Sequence, residues 1–168
     1  MLEIQSKTTA TPLQKGDQYS AAAISSVVQD KKSLSEGLKI FEEWGLVCNP
    51  QNLIDRSWGY FAGTDDVRFA DLHPMPPPPL IAFARGGWGA ARLLERKQPW
   101  EQGWLLGYSD ITSILLSRLS SGFDGCIHGP MISTISEEPN WSKDRLKNIL
   151  FGGEIQDLCG VSWNGGKA

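Results

Sequence analysis

Leu80-Ile81-Ala82-Phe83-Ala84-Arg85-Gly86-Gly87-Trp88-Gly89 decides the fold: five consecutive apolar residues run into a cation and three glycines. An apolar run of strand length, with no polar alternation, marks a strand covered on both faces, as in a parallel sheet. The glycines then permit a sharp turn whose N–H groups can converge on an anion or oxyanion.

Downstream of that turn, the pattern predicts a helix over Ala90–Lys97, a strand over Trp104–Gly107 and a helix over Asp110–Leu119. In the last of these, Ile111, Ile114, Leu115 and Leu119 share one face. Cys126-Ile127 makes a last short strand. Upstream, the turn Pro12–Asp17 delivers the chain into a first strand, Tyr19–Ile24. Ser33-Leu34-Ser35-Glu36 reads as a capping box opening a helix, with Leu34, Leu38 and Phe41 inward and Gly45 as its stop. Leu46-Val47-Cys48 is a second strand. Thr64 starts a further helix, with Asp65 and Asp66 in its first turn, and Pro74 forces it to end by His73. Pro74–Pro79 reads as a stiff spacer within the fold. Strands alternating with helices predict an α/β fold: a mostly parallel sheet flanked by helices, of flavodoxin or Rossmann-like type.

The chain has 168 residues, 16 Lys+Arg against 19 Asp+Glu, and a formal net charge of −3. Such a balance gives no overall attraction to nucleic acid or to an anionic membrane, so neither is expected as a partner. No secretory leader is visible, and the longest apolar stretch falls far short of the ~20 residues that span a bilayer. A soluble, cytoplasmic protein is therefore expected. Cys48, Cys126 and Cys159 are odd in number and lack any C-x-x-C pair, which suits reduced thiols better than a disulfide framework or a zinc site. No metal or other cofactor is implied. There are two histidines, His73 and His128, so a nucleophile activated by imidazole must use one of them or one from elsewhere.

Two turns lie just past the carboxyl ends of predicted strands, where open α/β sheets bind ligands. In the first, Arg85–Gly89, a dinucleotide fingerprint would need a third glycine where Arg92 stands. That signal is weak, and it stands beside a plain tight turn and an oxyanion-binding turn. The second is Gly107-Tyr108-Ser109-Asp110-Ile111-Thr112, where a serine between strand and helix occupies the place of a nucleophile elbow. The second glycine of G-x-S-x-G is absent, and a simple helix N-cap at Ser109 is the competing reading. His128, at a strand end, fits a hydrogen-bonded structural group or a catalyst.

Pro12-Leu13-x-x-Gly16-Asp17, Ala62-Gly63-Thr64-Asp65-x-x-Arg68-x-x-Asp71-Leu72, Ala84-Arg85-Gly86-Gly87-Trp88-Gly89-x-x-Arg92-Leu93-Leu94, Gly107-Tyr108-Ser109-Asp110-Ile111-Thr112 and His128-Gly129-Pro130-Met131 stand in this order. Together they resemble the ordered motifs of the LD-carboxypeptidases. These serine peptidases include murein tetrapeptide carboxypeptidases and microcin C self-immunity hydrolases. The resemblance implies an N-terminal α/β domain that carries the nucleophile and a C-terminal domain that adds a glutamate and a histidine. By motif, Ser109 matches the nucleophile, and the backbone N–H groups of Asp110 and Gly87 match the oxyanion hole. Arg85, Gly86, Trp88 and Tyr108 would contact substrate, with Arg85 or Arg92 on its terminal carboxylate. The implied reaction is hydrolysis of the amide to a C-terminal D-amino acid, as in a muropeptide, through an acyl-enzyme.

On this resemblance, residues 1–18 are an extension and entry turn, 19–135 the nucleophile-bearing domain, and 136–168 a linker and the start of a C-terminal domain. The family's second domain would lie beyond Ala168, and with it the triad's glutamate and histidine. The chain alone is then expected to be a weak catalyst or none. Its partners would be a peptide or muropeptide with a C-terminal D-amino acid, and a separate C-terminal half or a second copy. A non-catalytic peptide- or muropeptide-binding module is the alternative, and nucleotide binding at the glycine turn a third.

Overall fold

The computed structural model describes residues 10–49, 52–155 and 157–158. Five strands, β1 (Gln18–Ala22), β2 (Val47–Asn49), β3 (Leu80–Phe83), β4 (Trp104–Gly107) and β5 (Cys126–His128), form one sheet. Every neighbouring pair is parallel, and the order is β2-β1-β3-β4-β5. The chain thus steps from β1 to one side and returns to the other. That reversal opens a crevice beyond the carboxyl ends of β1 and β3.

The apolar runs sit where a doubly covered sheet needs them. On one face Tyr19, Ala21, Ala23, Leu80, Ala82 and Leu106 are buried against α1 (Lys31–Glu43) and α4 (Asn140–Phe151). On the other, Ala22, Ile24, Ile81, Phe83 and Leu105 meet α2 (Asp65–Leu72), α3 (Thr112–Ser120) and Leu93. Successive residues of one strand serve opposite cores, as the two-residue period of a strand requires. Helix α1 presses close on the loop after β5. A β-carbon on Gly37 would lie 1.7 Å from the Ile132 carbonyl oxygen.

Thr64 caps α2, accepting from the Val67 N–H, and the helix stops at Leu72 with His73 as its C-cap. Gly45 follows α1 with φ +90°. Two local expectations change. Helix α1 opens at Lys31 with Asp30 as its cap, whose carboxylate accepts from the Ser33 N–H at 3.0 Å. Ser33 is therefore a donor inside the first turn and not the cap. The helix expected over 90–97 is only a 3-10 segment, Ala91–Glu95. Residues 140–151, in the span expected as a linker and the start of a C-terminal domain, form α4. Its Leu146 and Leu150 enter the main core, and the Leu150 carbonyl accepts from the Leu13 N–H at 2.8 Å.

Pro74–Pro79 is a connector without regular secondary structure that lines an apolar pocket of about 270 Å³ at the amino-terminal edge of β3 and β4. Cys48 and Cys126 are half-buried free thiols, and burial pushes both above the ordinary thiol range. Cys159 lies outside the described residues. No helix among the described residues is long and apolar enough to cross a membrane.

Candidate active site

Ser109 follows β4 after one extended residue, Tyr108, and adopts φ +61°. For a residue with a β-carbon that conformation is strained by about 1–3 kcal/mol, and such strain persists only where the surroundings impose it. A 3-10 turn, Ser109–Ile111, then leads into α3, and no side-chain hydrogen bond caps either segment. The N-cap reading of Ser109 is therefore not what the fold uses. Its side chain stands exposed in a strand–turn–helix elbow.

The space around the elbow comes from glycines. A β-carbon on Gly107 would meet Ile111 at 3.0 Å and Phe83 at 3.1 Å. The position of the missing second glycine of G-x-S-x-G is filled by Ile111, which is fully buried. The room beside the serine comes from another strand. A β-carbon on Gly86, in the turn after β3, would lie 3.2 Å from the Ser109 Oγ.

Three loops are tied together beneath this point. The Asp110 carboxylate accepts from the Ser25 hydroxyl at 2.7 Å and from the Ala90 N–H at 2.8 Å, joining the ends of β1, β3 and β4. The Ser26 hydroxyl donates to the Gly86 carbonyl at 2.8 Å. The fully buried Arg68 donates to the carbonyls of Ile24 (2.6 Å) and Gly89 (2.9 Å) and pairs with Asp65 at 2.6 Å. Asp71 accepts from the Ala23 N–H at 3.0 Å and pairs with Arg56. The acid-rich motif of residues 62–72 thus fastens the loops that carry the site without entering it. Among the described residues, neither the Gly87 nor the Asp110 N–H donates to a protein acceptor.

A cleft of about 390 Å³ opens over Ser109, lined also by Arg85, Gly86, Gly87 and Tyr108. Its other wall is polar and was not legible as a site in the sequence: Asp30, Ser33, Ser133, Thr134 and Glu137. The Ser33 N–H and hydroxyl hold Asp30 below the usual carboxylate range. Arg85 donates to the Val27 carbonyl at 3.0 Å and has no carboxylate partner within ion-pair distance among the described residues. Arg92 is placed elsewhere, its Nε 2.7 Å from Asp65, and does not line the cleft. Trp88 also leaves the cleft. Its exposed ring lies near-parallel to Phe61 at a centroid distance of 5.8 Å.

The two histidines are not joined to the serine. His73 bonds Gln98 at 2.9 Å and packs on Phe69 and Trp100 beside the apolar pocket, at the opposite sheet edge. His128, exposed at the end of β5, meets Tyr108 edge-on at 6.2 Å between ring centroids. Among the described residues no cluster of His, Cys, Asp or Glu could hold a metal ion. The glycine turn runs into a short 3-10 segment, so it lacks the α-helix N-terminus on which a dinucleotide pyrophosphate rests.

Comparisons with known proteins place the fold and the family. The chain is 39% identical over 164 residues to a putative carboxypeptidase of Synechocystis sp., covering 94% of this chain and 54% of that protein. It is 36% identical over 132 residues to a probable murein peptide carboxypeptidase of Bacillus subtilis, covering 73% of this chain and 40% of that one. The chain spans about half the length of the curated relatives it matches. The fold resembles the crystal structure of an MccF-like protein from Bacillus anthracis, with a TM-score of 0.71 and 22% identity over 83% of this chain and 46% of the other. A family model for the LD-carboxypeptidase N-terminal domain matches residues 20–129, and the chain belongs to that family.

Proposed function

We propose that this chain is the nucleophile-bearing part of a serine-type LD-carboxypeptidase that acts on peptides ending in a D-amino acid. The observation that carries this is the strained Ser109 elbow, whose exposed serine stands against the Gly86 turn, while the N–H groups of Gly87 and Asp110 have no protein acceptor among the described residues. In this reading Ser109 Oγ attacks the carbonyl of the penultimate residue. The N–H groups of Asp110 and Gly87 receive the charge that develops on its oxygen. Such preorganised donors stabilise the tetrahedral species more than the ground state, and removing one from a serine hydrolase costs about 10²–10³ in rate. Collapse expels the D-amino acid and leaves an acyl-serine, which water then hydrolyses. In this reading Arg85, which has no acid partner among the described residues, receives the terminal carboxylate of the leaving residue.

The general base is the part this cleft does not supply. Neither His73 nor His128 bonds Ser109, so its hydroxyl stays a weak nucleophile at neutral pH. We infer that a histidine oriented by a glutamate, as in the family arrangement, comes from a second domain, a separate chain or a second copy. The 168-residue chain by itself then turns over slowly. Trimming of muropeptides during cytoplasmic peptidoglycan recycling is the role that fits. The absent imidazole also favours a second reading, a muropeptide-binding module without catalysis. A fluorophosphonate probe separates the two. Labelling of the chain, lost in Ser109→Ala, supports the enzyme, and restored D-alanine release on adding a complementing half completes it. No labelling under either condition leaves the binding module.

A further inference from the structure

Ser26 lies four residues past the carboxyl end of β1 and is 3% exposed, so its hydroxyl is buried. It donates to the Gly86 carbonyl at 2.8 Å. A β-carbon on Gly87, whose φ is +128°, would fall 2.2 Å from the same hydroxyl oxygen. Ser26 is therefore packed against the peptide that joins Gly86 to Gly87.

That peptide needs a latch. In a trans peptide the carbonyl of one residue and the N–H of the next point in opposite directions. A peptide between two glycines meets little steric resistance to rotation as a unit, because neither neighbour carries a β-carbon. One orientation directs the Gly87 N–H away from Ser26. The flipped orientation would put the Gly86 carbonyl oxygen there and turn a donor into an acceptor. A buried hydroxyl bonded to that carbonyl selects the first state. It also polarises the peptide, which strengthens the N–H as a donor. The adjacent Ser25 holds the Asp110 carboxylate at 2.7 Å, so one dipeptide fastens both segments that carry the uncommitted N–H groups.

We propose that Ser26 is a positioning residue of the oxyanion site: its hydroxyl latches the Gly86–Gly87 peptide with the Gly87 N–H turned toward Ser109. The catalytic consequence rests on the assignment of Gly87 as an oxyanion donor, whereas the latch itself does not.

The primary test therefore needs no turnover. In ¹⁵N-labelled 168-residue protein, Ser26→Ala should shift the Gly87 amide resonance and broaden or double it, while the Asp110 amide keeps its position. Ser25→Ala should do the reverse. Ser26→Cys keeps a side chain of similar size with a weaker donor, and should fall between wild type and alanine. It also serves if the alanine variant does not fold. A Gly87 amide that is unmoved in both variants, or already broadened in wild type, overturns the latch.

The second arm follows fluorophosphonate labelling of Ser109. Ser26→Ala should slow it about tenfold or more, with cysteine intermediate. Unchanged labelling in both variants overturns the oxyanion role. If wild type labels neither alone nor with a complementing half, the oxyanion role falls with the enzyme reading, and the Gly87 resonance still decides the latch.

Discussion

Gly86 stands so close to Ser109 that a β-carbon on it would lie 3.0 Å from the serine's own β-carbon. Two residues 23 positions apart, in turns after neighbouring strands, thus share one small volume. Gly86→Ala is expected to push Ser109 by a few tenths of an ångström or more. Misplaced nucleophiles lose rate steeply, so Ser109 labelling should fall about tenfold or more, against a crowding cost of roughly 1–2 kcal/mol. Paired denaturant melts and labelling rates check this. A variant that labels at the wild-type rate would remove Gly86 from the site.

Strain at Ser109 gives a different signature. Its φ of +61° is easy only for glycine. Ser109→Ala removes the nucleophile and keeps the strain. Ser109→Gly removes both, although the glycine also frees the unfolded chain. Ser109→Gly should exceed Ser109→Ala in stability by about 1 kcal/mol, with neither variant labelling. Equal unfolding midpoints would show that the elbow stores no strain.

Arg68 is the buried pin beneath the site. Arg68→Met removes three hydrogen bonds and leaves the Ile24 and Gly89 carbonyls without this donor. The expected loss is about 3 kcal/mol or more in a urea melt, since breaking a buried charged network strands its partners. Burial raises the carboxyl of its partner Asp65, but hydrogen bonds and charge from Arg68 and Arg92 outweigh this and hold it below the ordinary range. Its contribution is therefore present above the ordinary carboxylate value and lost as pH falls through the lowered one. Arg68→Met should weaken that acid-side dependence.

His73 titrates with the opposite charge. Burial keeps the imidazole neutral and lowers its value, against the bond to Gln98. The unfolded chain takes up a proton first, at about 6.5. Stability is then full above that point, falls as pH drops below it, and levels off once the folded-state value is passed. His73→Gln should flatten this segment of the stability–pH curve and leave Ser109 labelling unchanged, because His73 sits at the opposite sheet edge. A slope identical to wild type would assign the dependence to other groups.

How much of this was legible follows from the range of each signal. β3 and β4 are read directly from Leu80–Ala84 and Trp104–Gly107, because a doubly covered strand writes its burial into consecutive residues. The carboxyl-edge rule then locates Ser109 and the Gly86 turn. Ser25 and Ser26 obey the same rule at the end of β1, yet two serines after an alanine run carry no local signature. Their partners, Asp110 and Gly86, lie 85 and 60 residues away. At α1 two overlapping cap patterns compete, and Asp30 prevails over Ser33 one turn earlier. Helix α4 carries four charges near its middle, Lys143, Asp144, Arg145 and Lys147, which interrupt the apolar pattern that Leu146 and Leu150 would otherwise mark as its buried side.

Arg85 is the remaining proposed site residue that binding alone can test. Its guanidinium lines the cleft beside Ser109, bonded to the Val27 carbonyl and, among the described residues, to no acid. A buried or half-buried cation left unpaired favours an anionic ligand, and a guanidinium fork matches a carboxylate in two bonds. A peptide ending in free D-alanine should therefore bind the 168-residue chain about tenfold or more tightly than its C-terminal amide, as measured by calorimetry. Arg85→Gln should erase the difference. Arg85→Lys should retain only part of it, since an ammonium supplies charge without the fork. Added salt should narrow the wild-type preference only modestly, because a partly buried pair is poorly screened. Equal affinity of wild type for acid and amide would move the carboxylate site away from Arg85 and turn attention to the cleft's opposite wall, where Ser133 and Thr134 present hydroxyls beside Glu137.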